Sequence, residues 1–183
     1  MRYCLLLGLF GIIGLTSCST SFQPSNLFEQ RINISKNNIN SINGSYSTTS
    51  KDSNNTSLEY SLLNEVKDQD NNININDRIV KIEIISKDFI EISVFQNDYL
   101  LQQKKLEYYL LENDYIEIEV PTKFHHTGWG FFSCSTQETR IALNKDRNLI
   151  VDTCGMGTAI FLILPLIAAD NHQYGIEYVK IEN

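Results

Sequence analysis

The sequence is short of the residues that carry metal chemistry. Its 183 residues include only three histidines and four cysteines. His125 and His126 are adjacent, and neighbouring residues of a strand point to opposite faces, so this spacing does not gather the three or four ligands that a metal needs. A bent loop that brought both toward Asp152 or Cys154 is the alternative. We expect no metal and no cofactor.

A catalytic constellation is missing as well. The best enzymatic candidate is a thiol paired with an imidazole: Cys134 or Cys154 with His125 or His126. No local signature supports this pairing, and a disulfide would consume both thiols. Glu117 and Glu119 lie on the polar face of a predicted strand, whereas catalysis needs buried or crowded carboxylates. We therefore predict no catalytic residue and a protein that is not an enzyme, with a thiol- or metal-dependent activity as the open alternative.

Positive charge and long apolar runs are also scarce. The chain has 15 basic residues against 22 acidic ones, which argues against a nucleic-acid partner, since such proteins need a basic face. No apolar run reaches the roughly 20 residues of a membrane-spanning helix. The run Ala159 to Ala169 contains Pro165 and is short, so we predict a strand buried on both faces.

The N-terminus is the most informative stretch. Arg2, an apolar middle from Leu5 to Leu15 and a small-residue end have the layout of a secretory signal peptide. The residues "LTSC", Leu15 to Cys18, resemble the lipobox of bacterial lipoproteins. The resemblance implies cleavage before Cys18 and acyl chains such as palmitate on that residue, so the membrane is the expected partner. The alternative is an ordinary cleaved signal, with Cys18 a thiol or a disulfide partner.

The residues after Cys18 predict the cellular location. In lipoproteins, aspartate directly after the lipidated cysteine favours retention in the inner membrane. This chain has Ser19 there, so we expect the outer membrane. An acidic cluster close behind the cysteine directs some lipoproteins to the cell surface, and "STSFQPSN" contains no acidic residue, so we expect the periplasmic face. The predicted organisation is a signal peptide (1–17), a lipidated cysteine with a tether (18–41) and one β-barrel domain (42–183). Removal of the signal peptide, which contains Arg2, would leave 14 of the 15 basic residues against 22 acidic ones, so the mature chain would have a net charge of −8.

The domain has the pattern of a mainly β fold. One short helix is predicted upstream from the helical spacing of Leu58, Leu62, Leu63 and Val66, capped by Asn55, Thr56 or Ser57. Beyond Arg78 apolar and polar residues alternate, and tight polar turns join the strands into an antiparallel meander. We predict eight to ten strands that close into a small up-and-down barrel, which removes the sheet edges. The predicted inward residues are bulky: Val80, Ile82, Ile84, Ile90, Ile92, Val94, Leu106, Ile116, Ile118, Ile141 and Leu143.

The entry strand "INGSYS", the meander and "LNKDRNLIVDTCGMGTAIFLILP" resemble the lipocalin-like small lipoproteins of bacterial envelopes, a family of unknown function. In the turn of the last stretch the family usually has glycine where this chain has Arg147. The resemblance implies a lipocalin-like barrel over most of the mature domain and specifies no ligand. Lipocalins hold an apolar molecule, but the bulky inward residues favour a filled core here.

Two further features of the second half have open alternatives. Cys134 and Cys154 flank a predicted hairpin and are a candidate disulfide in an oxidising compartment. The residue numbers of paired positions in this hairpin should sum to about 292, whereas 134 and 154 sum to 288, so the simple register does not place the two cysteines directly opposite each other. Otherwise they are two small buried hydrophobes. The segment "TKFHHTGWGFFS" is a long loop or a bulged strand. Its aromatic residues either plug one end of the barrel or form a contact patch: Phe124, Trp129, Phe131 and Phe132.

These observations predict a lipid-anchored envelope protein that acts as a binding or structural component. One alternative is a carrier of small apolar molecules or lipids in the barrel interior. Another is an immunity or inhibitor protein that binds a protein partner in the envelope. No sequence motif discriminates among the three.

Overall fold

The chain folds as a closed, antiparallel, eight-stranded up-and-down β-barrel with one short α-helix, the lipocalin-like barrel that the sequence predicts. The computed structural model describes residues 31–52, 56–64, 77–112, 114–128, 131–161 and 164–181. Each strand pairs with the next, and β1 pairs with β8 to close the barrel. The elements are β1 (Gly44–Ser50), α1 (Leu58–Leu63), β2 (Arg78–Ile84), β3 (Phe89–Gln96), β4 (Tyr99–Leu110), β5 (Ile116–Gly128), β6 (Phe131–Leu143), β7 (Leu149–Phe161) and β8 (Leu164–Ile181).

The alternating residues of the meander face the core as predicted. Of the eleven predicted inward side chains, all are buried except Ile84, which is partly buried and packs against the same cluster. Val80 lies opposite Val94 and Ile82 opposite Ile92, so like residues share the inner face of β2 and β3. Two-residue periodicity on one buried face fixes this register, because a slip by one residue would turn every apolar side chain outward.

The strands β5 to β8 are longer than β1 to β4. The segment after Val120, for which the sequence left a long loop and a bulged strand open, is the bulged continuation of β5 as far as Gly128, with irregular register between Val120 and Lys123. The apolar run Ala159 to Ala169 is not one strand, since β7 ends at Phe161 and β8 begins at Leu164. A continuous apolar run has no alternation, so its pattern cannot mark where a hairpin reverses.

The helix α1 covers the upper end of the barrel, which we define as the end where β1 finishes and β2 begins. Ser57 caps it, its hydroxyl accepting from the backbone N–H of Tyr60, in agreement with one of the predicted caps. Leu58, Leu62 and Leu63 are fully buried against the strands. Val66, the fourth apolar residue of the predicted pattern, lies outside the described residues.

The lower end is closed by chain that precedes β1. A 3₁₀ helix (Ile39–Ile42) places Ile42 in the core, and the carbonyl of Ile42 accepts a 2.7 Å hydrogen bond from the buried hydroxyl of Tyr46. Upstream, the backbone of Arg31 forms an isolated antiparallel β-bridge with that of Asn144, and the side chain of Ile34 is buried. Part of the segment that the sequence assigned to the tether therefore packs against the barrel.

Candidate functional site

A polar cavity of about 210 Å³ lies at the upper end, between α1 and the inner faces of β6, β7 and β8. The described core residues form one large apolar cluster that extends from the lower end to the leucines of α1. The cavity walls carry hydroxyl and amide groups, among them Thr56, Ser61, Gln137, Thr153, Asn171 and Gln173. We call it the polar cavity after these uncharged hydroxyl and amide side chains.

Hydrogen bonds between α1 and β6 fix the helix side of this cavity. The carbonyl of Ser61 lies in the last turn of α1, where carbonyl groups have no partner within the helix. It accepts from the Thr139 hydroxyl at 2.8 Å and from Nε2 of Gln137 at 2.5 Å. Gln137 Nε2 also donates to Thr139 Oγ1 at 3.0 Å. These bonds hold the polar side chains of β6 in one arrangement.

A second set of contacts fixes the start of α1 against β8. The Tyr178 hydroxyl donates to the Thr56 carbonyl at 3.1 Å and lies 3.4 Å from the Ser61 hydroxyl. Burial raises the pKa of Tyr178, and the hydrogen bond to Ser61 offsets only part of this rise. Tyr178 is therefore a neutral hydroxyl at physiological pH.

Gln173 lies in the cavity wall with one end of its amide satisfied. Its Nε2 donates to Thr56 Oγ1 at 2.8 Å, whereas its Oε1 is buried and has no hydrogen-bond partner among the described residues. A buried acceptor of this kind requires an explanation, since nearly all such groups in proteins are paired. The position is suited to a group that donates a hydrogen bond.

Two glycines leave room in the wall formed by β7. Gly155 and Gly157 are two residues apart and both line the cavity. A Cβ atom built on Gly155 would come no closer than 3.7 Å to the Asn171 carbonyl and 3.8 Å to the Thr136 carbonyl. Glycine weakens a strand, and inside one it often marks the close approach of a ligand or another backbone.

The aromatic residues of the predicted contact patch lie in the longer half of the sheet. Phe124 is in β5, opposite Cys134, while Phe131 and Phe132 begin β6 opposite Phe161 and Ile160. Trp129 lies outside the described residues. The register therefore gathers three of the four predicted residues at the far end of the β5–β6 hairpin and leaves their role as a patch or a plug a prediction.

The register also separates the two cysteines of the candidate disulfide. Cys134 lies opposite Thr158 and Cys154 opposite Glu138, so the residue numbers of paired positions sum to 292, and the two cysteines are offset by four residues along the hairpin. Four residues of offset amount to about 13 Å along a strand, whereas bonded cysteines have Cα atoms within about 7 Å. Both residues are thiols in the structure. Cys18 lies outside the described residues.

The strand register gives the backbone positions of the histidines. In the strand register, His125 of β5 lies opposite Ser133 of β6, and His172 of β8 lies opposite Cys154 of β7. The ring of His172 stacks on Tyr174 with a centroid separation of 6.0 Å. No group of three or more potential metal ligands occurs among the described residues.

A larger groove of about 750 Å³ lies outside the barrel at its lower end. It runs between the 3₁₀ helix, the β2–β3 turn and the end of β4, and its walls include Lys36, Lys87 and Asp88. Ile85 and Tyr109 also line it and are 42% and 52% exposed. The groove thus combines exposed apolar surface with charges of both signs.

Sequence reasoning missed the polar cavity, although the sequence contains a signal for it. Continuing the inward alternation of Ile141 along β6 gives Thr139 and Gln137, and continuing that of Val151 along β7 gives Thr153 and Gly155. In both strands the inward residues change from bulky and apolar to small or polar at the same height. Inner-facing small and polar residues on adjacent strands indicate a cavity.

Comparison with known proteins finds no matching family model, no similar curated protein and no similar solved structure. Within the described ranges, no helix is long and apolar enough to cross a membrane.

Proposed function

We propose that this chain is a lipid-anchored envelope protein whose barrel is a non-enzymatic binding domain. The anchor rests on "LTSC" and the acylation of Cys18 that this motif implies. The binding role rests on one observation, the polar cavity at the upper end of the barrel. Among the described residues the hydroxyls and amides around that cavity are not arranged as a nucleophile with a base, which favours recognition over catalysis.

The proposed location is the periplasmic face of the outer membrane. Ser19 and the absence of an acidic cluster directly after Cys18 in the sequence support this location. Several acyl chains bind a bilayer far more firmly than one chain, because each buried methylene contributes about 0.8 kcal/mol. The net negative charge of the mature chain leaves the acyl chains as the membrane attachment.

Cell fractionation tests the anchor. The unmodified chain should sediment with the outer membrane, and the Cys18→Ala variant should appear in the soluble fraction. Cys134→Ala, which removes another thiol of the chain, is the control and should sediment normally. If the Cys18→Ala variant stays in the membrane fraction, the proposed anchor is wrong.

The apolar carrier is less well supported than a binder of polar molecules. The apolar cluster of the barrel includes Tyr46 and Tyr178, and both are fully buried. Extraction with organic solvent followed by mass spectrometry should therefore recover no stoichiometric lipid from the purified protein. Recovery of one lipid per chain would favour the carrier instead.

A second candidate function is inhibition of, or immunity to, a protein partner. The outer groove favours it, because exposed Ile85 and Tyr109 lie beside Lys87 and Asp88. Aromatic and apolar anchors surrounded by charges are typical of protein interfaces. An Ile85→Asp variant should lose a co-purifying envelope partner, whereas Leu100→Asp, at an exposed site away from the groove, should retain it.

A further inference from the structure

We propose that the polar cavity binds one uncharged, hydroxyl-rich ring, the chemistry of a neutral sugar unit. This inference rests on the proposed binding function and names the ligand class. It is independent of the lipid anchor, so that either can fail without the other.

The absence of charge in the cavity wall is the first argument. One fifth of the chain is charged, yet no charged side chain is among the described residues that line the cavity. An ionised ligand in such a site would lose its hydration without gaining an opposite charge, which is costly. The lining side chains therefore offer no opposite charge to phosphates, carboxylates or ammonium groups, and the one described cation that contacts a lining residue, Lys123, donates to the carbonyl of Asn64.

The hydrogen-bonding character of the wall is the second argument. Side chains such as Thr153, Asn171 and Gln173 offer both donors and acceptors. Ligand hydroxyls match such a wall because each one both donates and accepts. The buried Oε1 of Gln173, which has no partner in the described chain, is an acceptor for one of these hydroxyls.

The shape of the site is the third argument. A volume of about 210 Å³ is below the roughly 300 to 1,000 Å³ of pockets for drug-sized ligands, so the space suits one ring better than a lipid. Tyr60 lines the cavity and is 43% exposed, which makes its flat apolar ring available to the C–H face of a sugar. The missing side chain of Gly155 provides part of the space.

Saturation-transfer NMR and calorimetry on the full chain carrying Cys18→Ala test this proposal. The probes are D-glucose and N-acetyl-D-glucosamine, with D-glucuronate and protonated D-glucosamine as charged counterparts. We expect binding of at least one neutral sugar and about tenfold weaker binding of the charged ones. Absence of binding by both neutral sugars, or equal binding of the charged ones, would overturn the proposal.

Three variants locate the binding site. Gly155→Leu should fill the cavity, Gln173→Leu removes the buried acceptor and Tyr60→Ala removes the ring, and each should weaken sugar binding at least about tenfold. Gln103→Leu and Tyr99→Ala are the matched controls on exposed positions outside the cavity and should bind normally. If Gly155→Leu does not fold, the exposed Tyr60 still provides the test, and unchanged binding by the Tyr60→Ala and Gln173→Leu variants would exclude this cavity.

Failure here and failure of the proposed function give different results. A chain that binds no neutral sugar but is released from the membrane by Cys18→Ala contradicts only the ligand class. A chain that binds the sugar but remains in the membrane as Cys18→Ala contradicts only the anchor.

Discussion

Nη1 of Arg78 donates a 2.6 Å hydrogen bond to Oε1 of Glu59, and the two side chains are only 2% and 4% exposed. This buried ion pair joins α1 to the start of β2, next to the apolar residues that the helix buries. We infer that it fixes the position of α1, which forms one side of the polar cavity.

Removing one partner of this pair should destabilise the fold strongly. Glu59→Leu leaves the Arg78 guanidinium buried without its carboxylate, and such a loss costs about 3 to 5 kcal/mol of unfolding free energy. Denaturation in urea measures it. The control is Glu83→Gln, which breaks the exposed Lys81–Glu83 pair and should cost less than about 1 kcal/mol. A similar small cost for both variants would contradict the structural role of the buried pair.

Glu177 should make the fold sensitive to acid. Partial burial raises its pKa, but hydrogen bonds from Asn148, Lys51 and Asn144 outweigh this and hold the pKa below the ordinary value of 4.5. The stability that Glu177 contributes is therefore complete above pH 4.5 and is lost as the pH falls through the lowered pKa. Melting temperatures measured across this acid range should fall in the unmodified chain.

The variant Glu177→Gln should lower stability at neutral pH by about 1 to 2 kcal/mol, because the charge-assisted hydrogen bonds are weakened. It should also flatten the decline in acid. A decline as steep as that of the unmodified chain would show that other carboxylates cause it.

Tyr46 should make the fold sensitive to alkali. Burial raises the pKa of its hydroxyl well above the ordinary value of 10, so the unfolded chain releases this proton at a lower pH than the folded chain does. Stability is therefore retained below pH 10 and lost as the pH rises above it. Tyr46→Phe should remove this share of the alkaline loss. It should also cost about 1 to 3 kcal/mol at neutral pH, because the Ile42 carbonyl loses its buried donor.

Tyr99→Phe is the control for the alkaline experiment, since Tyr99 is 75% exposed. It should leave both the neutral stability and the alkaline decline unchanged. Chemical denaturation at several pH values above and below 10 separates the two variants. An unchanged alkaline decline in Tyr46→Phe would contradict the account.

Arg147 should be a position where glycine stabilises the protein. It has a φ of 63° in the β6–β7 turn, a left-handed conformation that costs an L-residue roughly 1 to 2 kcal/mol and glycine almost nothing. Arg147→Gly should raise the unfolding free energy by up to about 1 kcal/mol, because the more flexible unfolded chain offsets part of the relief. A thermal melt of Arg147→Gly against the unmodified chain checks this, with Arg147→Ala as the control that keeps a Cβ atom. A melting temperature of Arg147→Gly no higher than that of the unmodified chain would contradict it.

The meander was predictable because each strand buries one face. The alternation of Val80, Ile82 and Ile84 against polar neighbours admits only one orientation in a half-buried sheet. The β6–β7 hairpin was equally clear, since the polar turn between Leu143 and Leu149 fixes the register and the pairs sum to 292 as expected. That register is also what separates Cys134 from Cys154.

The long half of the sheet was harder to predict for two physical reasons. Between Ala159 and Ala169 every residue is apolar, so alternation cannot show where β7 ends and β8 begins. In β5 the bulges after Val120 interrupt the two-residue period, which made strand and loop equally consistent with the sequence.

The polar cavity escaped prediction because its walls come from elements distant in sequence. Gln173 in β8 meets Thr56 beside α1, a separation of 117 residues that no local pattern reports. The composition of single strands did contain the signal, in the change from Val151 to Thr153 and Gly155. Interpreting it required knowledge of which strands are neighbours in the closed barrel.

The central claim is a chain anchored through Cys18 that carries a barrel without a bound lipid in its core. A native mass spectrum of the protein extracted from the membranes of its own cells tests both parts at once. The account predicts a chain that begins at Cys18, carries the mass of acyl chains on that residue and holds no additional lipid. A chain with an unmodified Cys18 thiol, or one that retains a stoichiometric lipid after the anchor is accounted for, would contradict it.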